Sequence, residues 1–194
     1  WSLFNEPETT SEYAKDYFTK VFEAARALDP QNRPMTGALE KNSAPDKCRC
    51  YQLCDFICLN RYYGWYISGG AELEEAEVKF RAEMDKWAAK DLNVPFVFTE
   101  FGTDTLATEH KLPAIMWSQE YQNEYLKMNF GVFDSYDFVQ GELVWNFADF
   151  QTSEGIMRVN GNKKGVFTRQ RQPKDAAFLF KNRWKSLPLD YKGE

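Results

Sequence analysis

Short apolar runs alternate along this chain with longer segments whose apolar residues recur every three or four positions. That alternation predicts strands of a parallel sheet joined by crossover helices. The first run, Trp1, Leu3 and Phe4, reads as a strand ending at Phe4. Thr9 and Glu12 then form a capping box for a helix over residues 11–28. Its apolar stripe is Phe18, Val21, Phe22, Ala25 and Leu28, close to a 3.6-residue period, and Asp29-Pro30 stops it. Residues 34–39 give a weak second strand and 40–50 a loop. Residues 53–59 form a third strand, almost continuously apolar, as in a sheet covered on both faces.

The second half repeats the alternation. Residues 71–91 predict a charged amphipathic helix with Leu73, Ala76, Phe80, Met84, Trp87 and Ala88 on its inner side. Residues 94–99 form a fourth strand. Residues 117–136 form a helix with Tyr121, Tyr125, Met128 and Val132 on one side. Residues 142–147 are a fifth strand, followed by a Gly-rich loop over 155–165. Pro173 suits the first position of a last helix over 174–184.

Two of the strands end on a glutamate, Glu6 in WSLFNEP and Glu100 in VPFVFTEFG. A (β/α)8 barrel keeps its catalytic groups at the C-terminal ends of its strands. Two carboxylates on different strands there equip a glycoside hydrolase with a proton donor and a nucleophile or base. Eight strands close such a barrel. If Glu6 ends the fourth and Glu100 the seventh, Trp145 lies on the eighth, and three strands are expected upstream of residue 1. The expected fold is therefore α/β, the C-terminal part of a TIM barrel, with residues 1–194 as one portion of a catalytic domain.

Composition narrows the function classes. The 194 residues carry a net charge of −5, which gives nucleic acid no electrostatic footing. No apolar run approaches the roughly 20 residues of a membrane span. Aromatics at 16% suit a packed core and a sugar-stacking surface. Cys48, Cys50, Cys54 and Cys58 lack the paired C-x-x-C of structural zinc, and the single histidine, His110, is remote in sequence. Cys54 and Cys58, in the strand-like run CDFICLN, read as small core residues, and no metal or other cofactor is expected. Free thiols persist most easily in a reducing compartment, so the expectation is the cytoplasm.

Further candidate chemistry lies near the strand ends. Asn60-Arg61-Tyr62-Tyr63-Gly64-Trp65-Tyr66 follows the third strand, with Tyr63 and Trp65 as either site residues or an aromatic rim. The loop from Arg158 to Gly165 concentrates cations and amides, either to bind an anion or as a solvated turn. Glu142 is expected at the start of its strand, at the end of a barrel that serves stability. Asp104 and Asp149 lie past strand ends as rival carboxylates, and His110 has no triad partner.

WSLFNEP, LNRYYGWY, FTEFGTDTLA, WSQEYQ, VWNFADF and GNKKGVFTRQRQPKDAAF together resemble the β-glucuronidases of glycoside hydrolase family 2. The resemblance implies a retaining enzyme with Glu6 as acid/base and Glu100 as nucleophile. It implies Asn5 against the sugar 2-hydroxyl, Asn60 near the nucleophile, and Tyr62 and Tyr66 lining the pocket. Asn162 and Lys164 would grip the substrate carboxylate, and Arg158 and Trp145 would complete the wall. It also implies a small-molecule glucuronide or glucuronate-containing glycan as substrate, no metal, and a homotetramer with β-sandwich-like domains before the barrel. With carboxyls about 5–5.5 Å apart, the Glu100 charge should raise the Glu6 pKa. The alternatives are a β-galacturonidase or β-galactosidase of the same family, and a non-catalytic barrel fragment.

Overall fold

A computed structural model describes residues 1–188. Its centre is one sheet of five parallel strands in sequence order. These are β1 (Ser2–Asn5), β2 (Thr36–Leu39), β3 (Ile57–Asn60), β4 (Phe96–Glu100) and β5 (Val139–Glu142). The crossovers carry α1 (Ala14–Leu28), α2 (Leu73–Ala88) and α3 (Gln119–Phe133), and α4 (Asp175–Ser186) follows β5. The β2 and β3 strands are buried throughout, which explains the near-continuous apolar run of β3.

Aromatic side chains bind the helices to the sheet. Phe18 of α1 meets Phe4 of β1 at 4.7 Å between ring centroids. Trp87 and Phe80 of α2 lie edge-on to Phe96 and Phe98 of β4, each pair at 5.5 Å. Phe133 of α3 stacks on Phe98 at 4.2 Å. Each such pair contributes about 0.5–1.5 kcal/mol beyond its burial. The four cysteines are all buried free thiols, and burial pushes Cys50 and Cys54 up to about 12. All four lie in the core, Cys54 and Cys58 as the apolar run around them suggested.

Several sequence expectations need correction. The first helix starts at Ala14 rather than 11, and its N-cap, Tyr13, makes no side-chain cap bond. Thr9 is no capping residue; its hydroxyl donates to Ser43 Oγ at 2.7 Å. Leu28 lies outside the inner stripe and is exposed. The third strand begins only at Ile57, because Tyr51–Leu53 coil into a 3-10 turn and Asp55 turns aside. Asp55 accepts from both terminal guanidinium nitrogens of Arg26 and from the Met35 amide. Pro173 precedes the N-cap Lys174 instead of occupying the first helical position.

The largest shift concerns the last strand, which runs 139–142 rather than 142–147. Glu142 ends it instead of starting it. Its carboxylate accepts from Arg183 at 2.7, 2.8 and 3.0 Å and from the Trp184 indole at 3.0 Å, tying α4 to the sheet. Backbone pairing nonetheless continues past the regular strand. Leu143 N donates to Phe98 O at 2.7 Å and Trp145 N to Phe101 O at 2.9 Å. Trp145 is thus held at the end of β4 by an irregular ladder rather than by a strand.

Candidate active site

Parallel pairing places the ends of β1, β3 and β4 on one rim of the sheet. Glu6 follows β1 immediately, with a left-handed backbone (φ 51°), and its amide donates to Ala38 O at 2.9 Å. Glu100 is the last residue of β4 and sits in register with Asn60, the last residue of β3.

Buried Asn60 lies on β3, between them. Its side-chain amide donates to Glu6 Oε1 at 2.9 Å and to Asn5 Oδ1 at 3.0 Å. Its carbonyl oxygen accepts from Thr99 Oγ1 at 2.6 Å, beside Glu100. Tyr62 OH donates to Glu100 Oε2 at 2.7 Å. Two hydrogen-bonded sets thus meet on this rim, Asn5, Glu6 and Thr99 around Asn60, and Tyr62 on Glu100; Thr99 carried no signal in the sequence.

Electrostatics distinguish the carboxyls. Glu6 is exposed and Glu100 half-buried. Burial pushes the Glu100 carboxyl above its ordinary range, and the Glu6 charge adds to the push. The Tyr62 hydroxyl, the Asn60 amide and the Lys164 cation oppose it. Sequence reasoning predicted an upward push for Glu6 and missed this one on its partner. The Tyr62 phenol is itself pushed up, first by burial and then by the Glu100 charge, so it remains a donor.

A cationic corner adjoins this group. Tyr66 OH accepts from Arg158 at 2.8 Å and from Lys164 Nζ at 3.0 Å. The Lys164 ammonium lies 5.0–5.9 Å from the ring centroids of Tyr66, Trp65 and Tyr62. Lys164 is only 1% exposed and is ion-paired with the fully buried Asp104. Asp104 also accepts from the Lys163 amide at 2.8 Å and faces Arg158 at 3.5 Å. Lys164 is therefore not the free cation that the loop sequence suggested. One of its three donors remains beyond Asp104 and Tyr66.

Asn162 uses its side-chain oxygen on its own loop, accepting from the Lys164 amide at 2.9 Å. Gly161 makes the turn possible: it has φ +93°, and a Cβ there would lie 2.5 Å from Phe150 O. Gly102 is required by close approach instead: an added Cβ would run into the Trp145 carbonyl.

The rival carboxylates are occupied. Asp104 serves Lys164, and Asp149 pairs with buried Lys174 at 2.8 Å. His110 bonds Glu120 at 2.8 Å and Gln119 at 3.0 Å on the surface. Tyr63 belongs to the core, stacked on Phe80 with its hydroxyl donated to Glu83 at 2.9 Å. Trp65 is also buried, under the Lys164 cation.

Two glutamates at the ends of the parallel strands β1 and β4, on one rim with a buried asparagine from β3 and flanking aromatics, are the arrangement of the class of (β/α)-barrel glycosidases. Within that class the chain belongs to the glycosyl hydrolases family 2, TIM barrel domain, whose model matches residues 1–189. It is 49% identical over 188 residues to the β-glucuronidase of Paenibacillus borealis, covering 96% of this chain and 30% of that protein. Against the β-glucuronidase of Streptococcus agalactiae it is 43% identical, covering 97% and 31%. The structure superposes with TM-score 0.94 on the Ruminococcus gnavus β-glucuronidase in complex with D-glucuronic acid, at 76% identity, over 95% of this chain and 32% of that one. The chain thus spans about a third of the length of the relatives it matches.

Proposed function

We propose that this chain carries the catalytic carboxylates and the acid-recognition corner of a retaining β-glucuronidase. The observation that carries the reading is the pair of hydrogen-bonded carboxylates, Glu6 with Asn60 and Glu100 with Tyr62, on one rim beside the Lys164–Tyr66–Arg158 corner. Glu100 attacks the anomeric carbon as nucleophile while Glu6 protonates the leaving oxygen. The Glu100 charge is then lost in the glycosyl ester, so Glu6 can ionise and activate water. Asn5 accompanies Glu6 and meets the sugar 2-hydroxyl. Tyr62 holds Glu100 in line and, with Tyr66 and Trp145, walls the pocket. The remaining donor of Lys164, with Arg158 and Asn162, recognises the substrate carboxylate.

Residues 1–194 are, in this reading, the second part of a barrel whose first three strands lie elsewhere in a longer protein. The TIM-barrel family match and the open sheet support that arrangement. The substrate is a glucuronide or glucuronate-containing glycan, the assembly a homotetramer, and the compartment the cytoplasm, in keeping with four buried free thiols.

The test is hydrolysis of p-nitrophenyl β-D-glucuronide, galacturonide and galactoside by the chain within a complete barrel. Glucuronide should be cleaved in preference, with retention at the anomeric carbon. Glu100→Ala should lose nearly all turnover, and azide should restore part of it. An active Glu100→Ala without azide would overturn the assignment, and preferred galacturonide cleavage would move the substrate class.

A further inference from the structure

Behind the carboxylates lies a charged cluster that the proposed chemistry does not use. Arg61 is fully buried, and its Nε and Nη2 reach Glu83 of α2 at 2.7–3.0 Å. Glu83 also accepts from Tyr63 OH at 2.9 Å and Trp87 Nε1 at 3.1 Å, so four donors fix it. The remaining guanidinium nitrogen, Nη1, donates to Leu39 O at 2.7 Å and Asn60 O at 2.8 Å. The Arg61 amide donates to Glu100 O at 2.8 Å. One residue therefore gathers the last carbonyls of β2, β3 and β4. Glu6 is tied to the first of these strands through its own amide on Ala38 O, and to the second through Asn60.

We propose that Arg61, anchored by Glu83, is a positioning residue that sets the separation and aim of Glu6 and Glu100. The inference rests on the glycosidase reading above. A buried ion pair is a poor source of stability, since apolar residues of similar volume often serve as well. What apolar residues cannot supply is the guanidinium's grip on the strand-end carbonyls of Leu39 and Asn60, beside the Glu100 carbonyl held by the same residue's backbone amide. Loss of that grip lets Asn60, and with it both carboxylates, drift. A displacement of about 1 Å at a reacting group costs on the order of 100-fold in rate.

The test is Arg61→Met/Glu83→Gln in the complete barrel. It removes both charges, and the glutamine keeps an acceptor for Tyr63 and Trp87. The expected result is a folded protein whose kcat on p-nitrophenyl glucuronide falls about 100-fold with KM little changed. Both limbs of its pH–rate profile should move, because both carboxylates lose their setting. Wild-type kcat and pH profile in the folded double variant would overturn the proposal. Glu83→Gln alone is the milder variant should the double fail to fold. It should lower kcat less, and speed amide exchange at residues 60–62 and 100 while α2 keeps its protection. Uniformly faster exchange through α2 with unchanged kcat would also overturn it. Should the wild type cleave no glucuronide, the glycosidase reading fails, and the exchange pattern still reports on the Arg61 grip.

Discussion

Asp104→Asn is the sharpest probe of the cationic corner. The substitution keeps the shape of the side chain and can keep the Lys163 amide bonded through Oδ1. It removes the only negative charge paired with Lys164 among the described residues, where the two side chains are 0% and 1% exposed. Breaking one side of a buried pair costs about 3–5 kcal/mol, because the remaining charge stays desolvated. Here Lys164 retains Tyr66 OH at 3.0 Å and three aromatic rings within 5.9 Å, which places the cost near the lower end, about 3 kcal/mol. For a chain of this size, that is a fall in Tm of about 6–12 °C. Thermal unfolding followed by circular dichroism measures it. Lys164→Met should cost about as much, since it strands Asp104, and should lose glucuronide turnover as well. The Asp104→Asn/Lys164→Met double variant should regain much of the stability, a coupling visible in a double-mutant cycle. It should not regain glucuronide preference over galactoside. Additive losses of stability would refute the buried pair. Restored preference in the double variant would refute the role of Lys164 in recognising the acid.

Two further outcomes follow from the hydrogen bonds. Tyr62→Phe removes a donor that lowers the Glu100 pKa, leaving burial and the Glu6 charge to raise it further. Because Glu100 must be ionised to act as the proposed nucleophile, the acid limb of kcat/KM should move to higher pH; an unmoved limb would refute it. At the surface, Glu120 is held down to about 2 by the Lys111 amide and His110, and His110 is held above its ordinary value by Glu120. The Glu120 contribution is present above pH 4.5 and lost as pH falls toward about 2. The His110 contribution is present below pH 6.5 and lost as pH rises through its elevated value. Glu120→Gln should therefore lower Tm most between those two values, and a uniform effect across pH 3–9 would argue against the pair.

The parts of this architecture that lie in local sequence were legible there. An apolar run ending in Asn-Glu-Pro or Thr-Glu-Phe-Gly declares both a strand and the carboxylate at its end. Helical stripes such as Ala76, Phe80, Met84 and Trp87 likewise face the sheet as their spacing requires. Pairings between distant residues were hidden. Asp104 and Lys164 stand 60 positions apart and Arg61 and Glu83 stand 22 apart, so no periodicity links them. In the last strand, Gln140 and Gly141 break the apolar run, while pairing beyond it continues irregularly to Trp145. Thr9 looked like a helix cap because local spacing cannot reveal a partner as distant as Ser43.

The four buried thiols also bear on how the molecule can be handled. Thiol reagents attack the thiolate, and burial keeps Cys50, Cys54 and Cys58 protonated. Cys48 is shielded within the same core. Among the described residues the native surface is therefore silent to maleimides. A single cysteine placed on an exposed stretch such as the outer side of α1 would accept a fluorophore or a tether selectively, with no native cysteine to remove first.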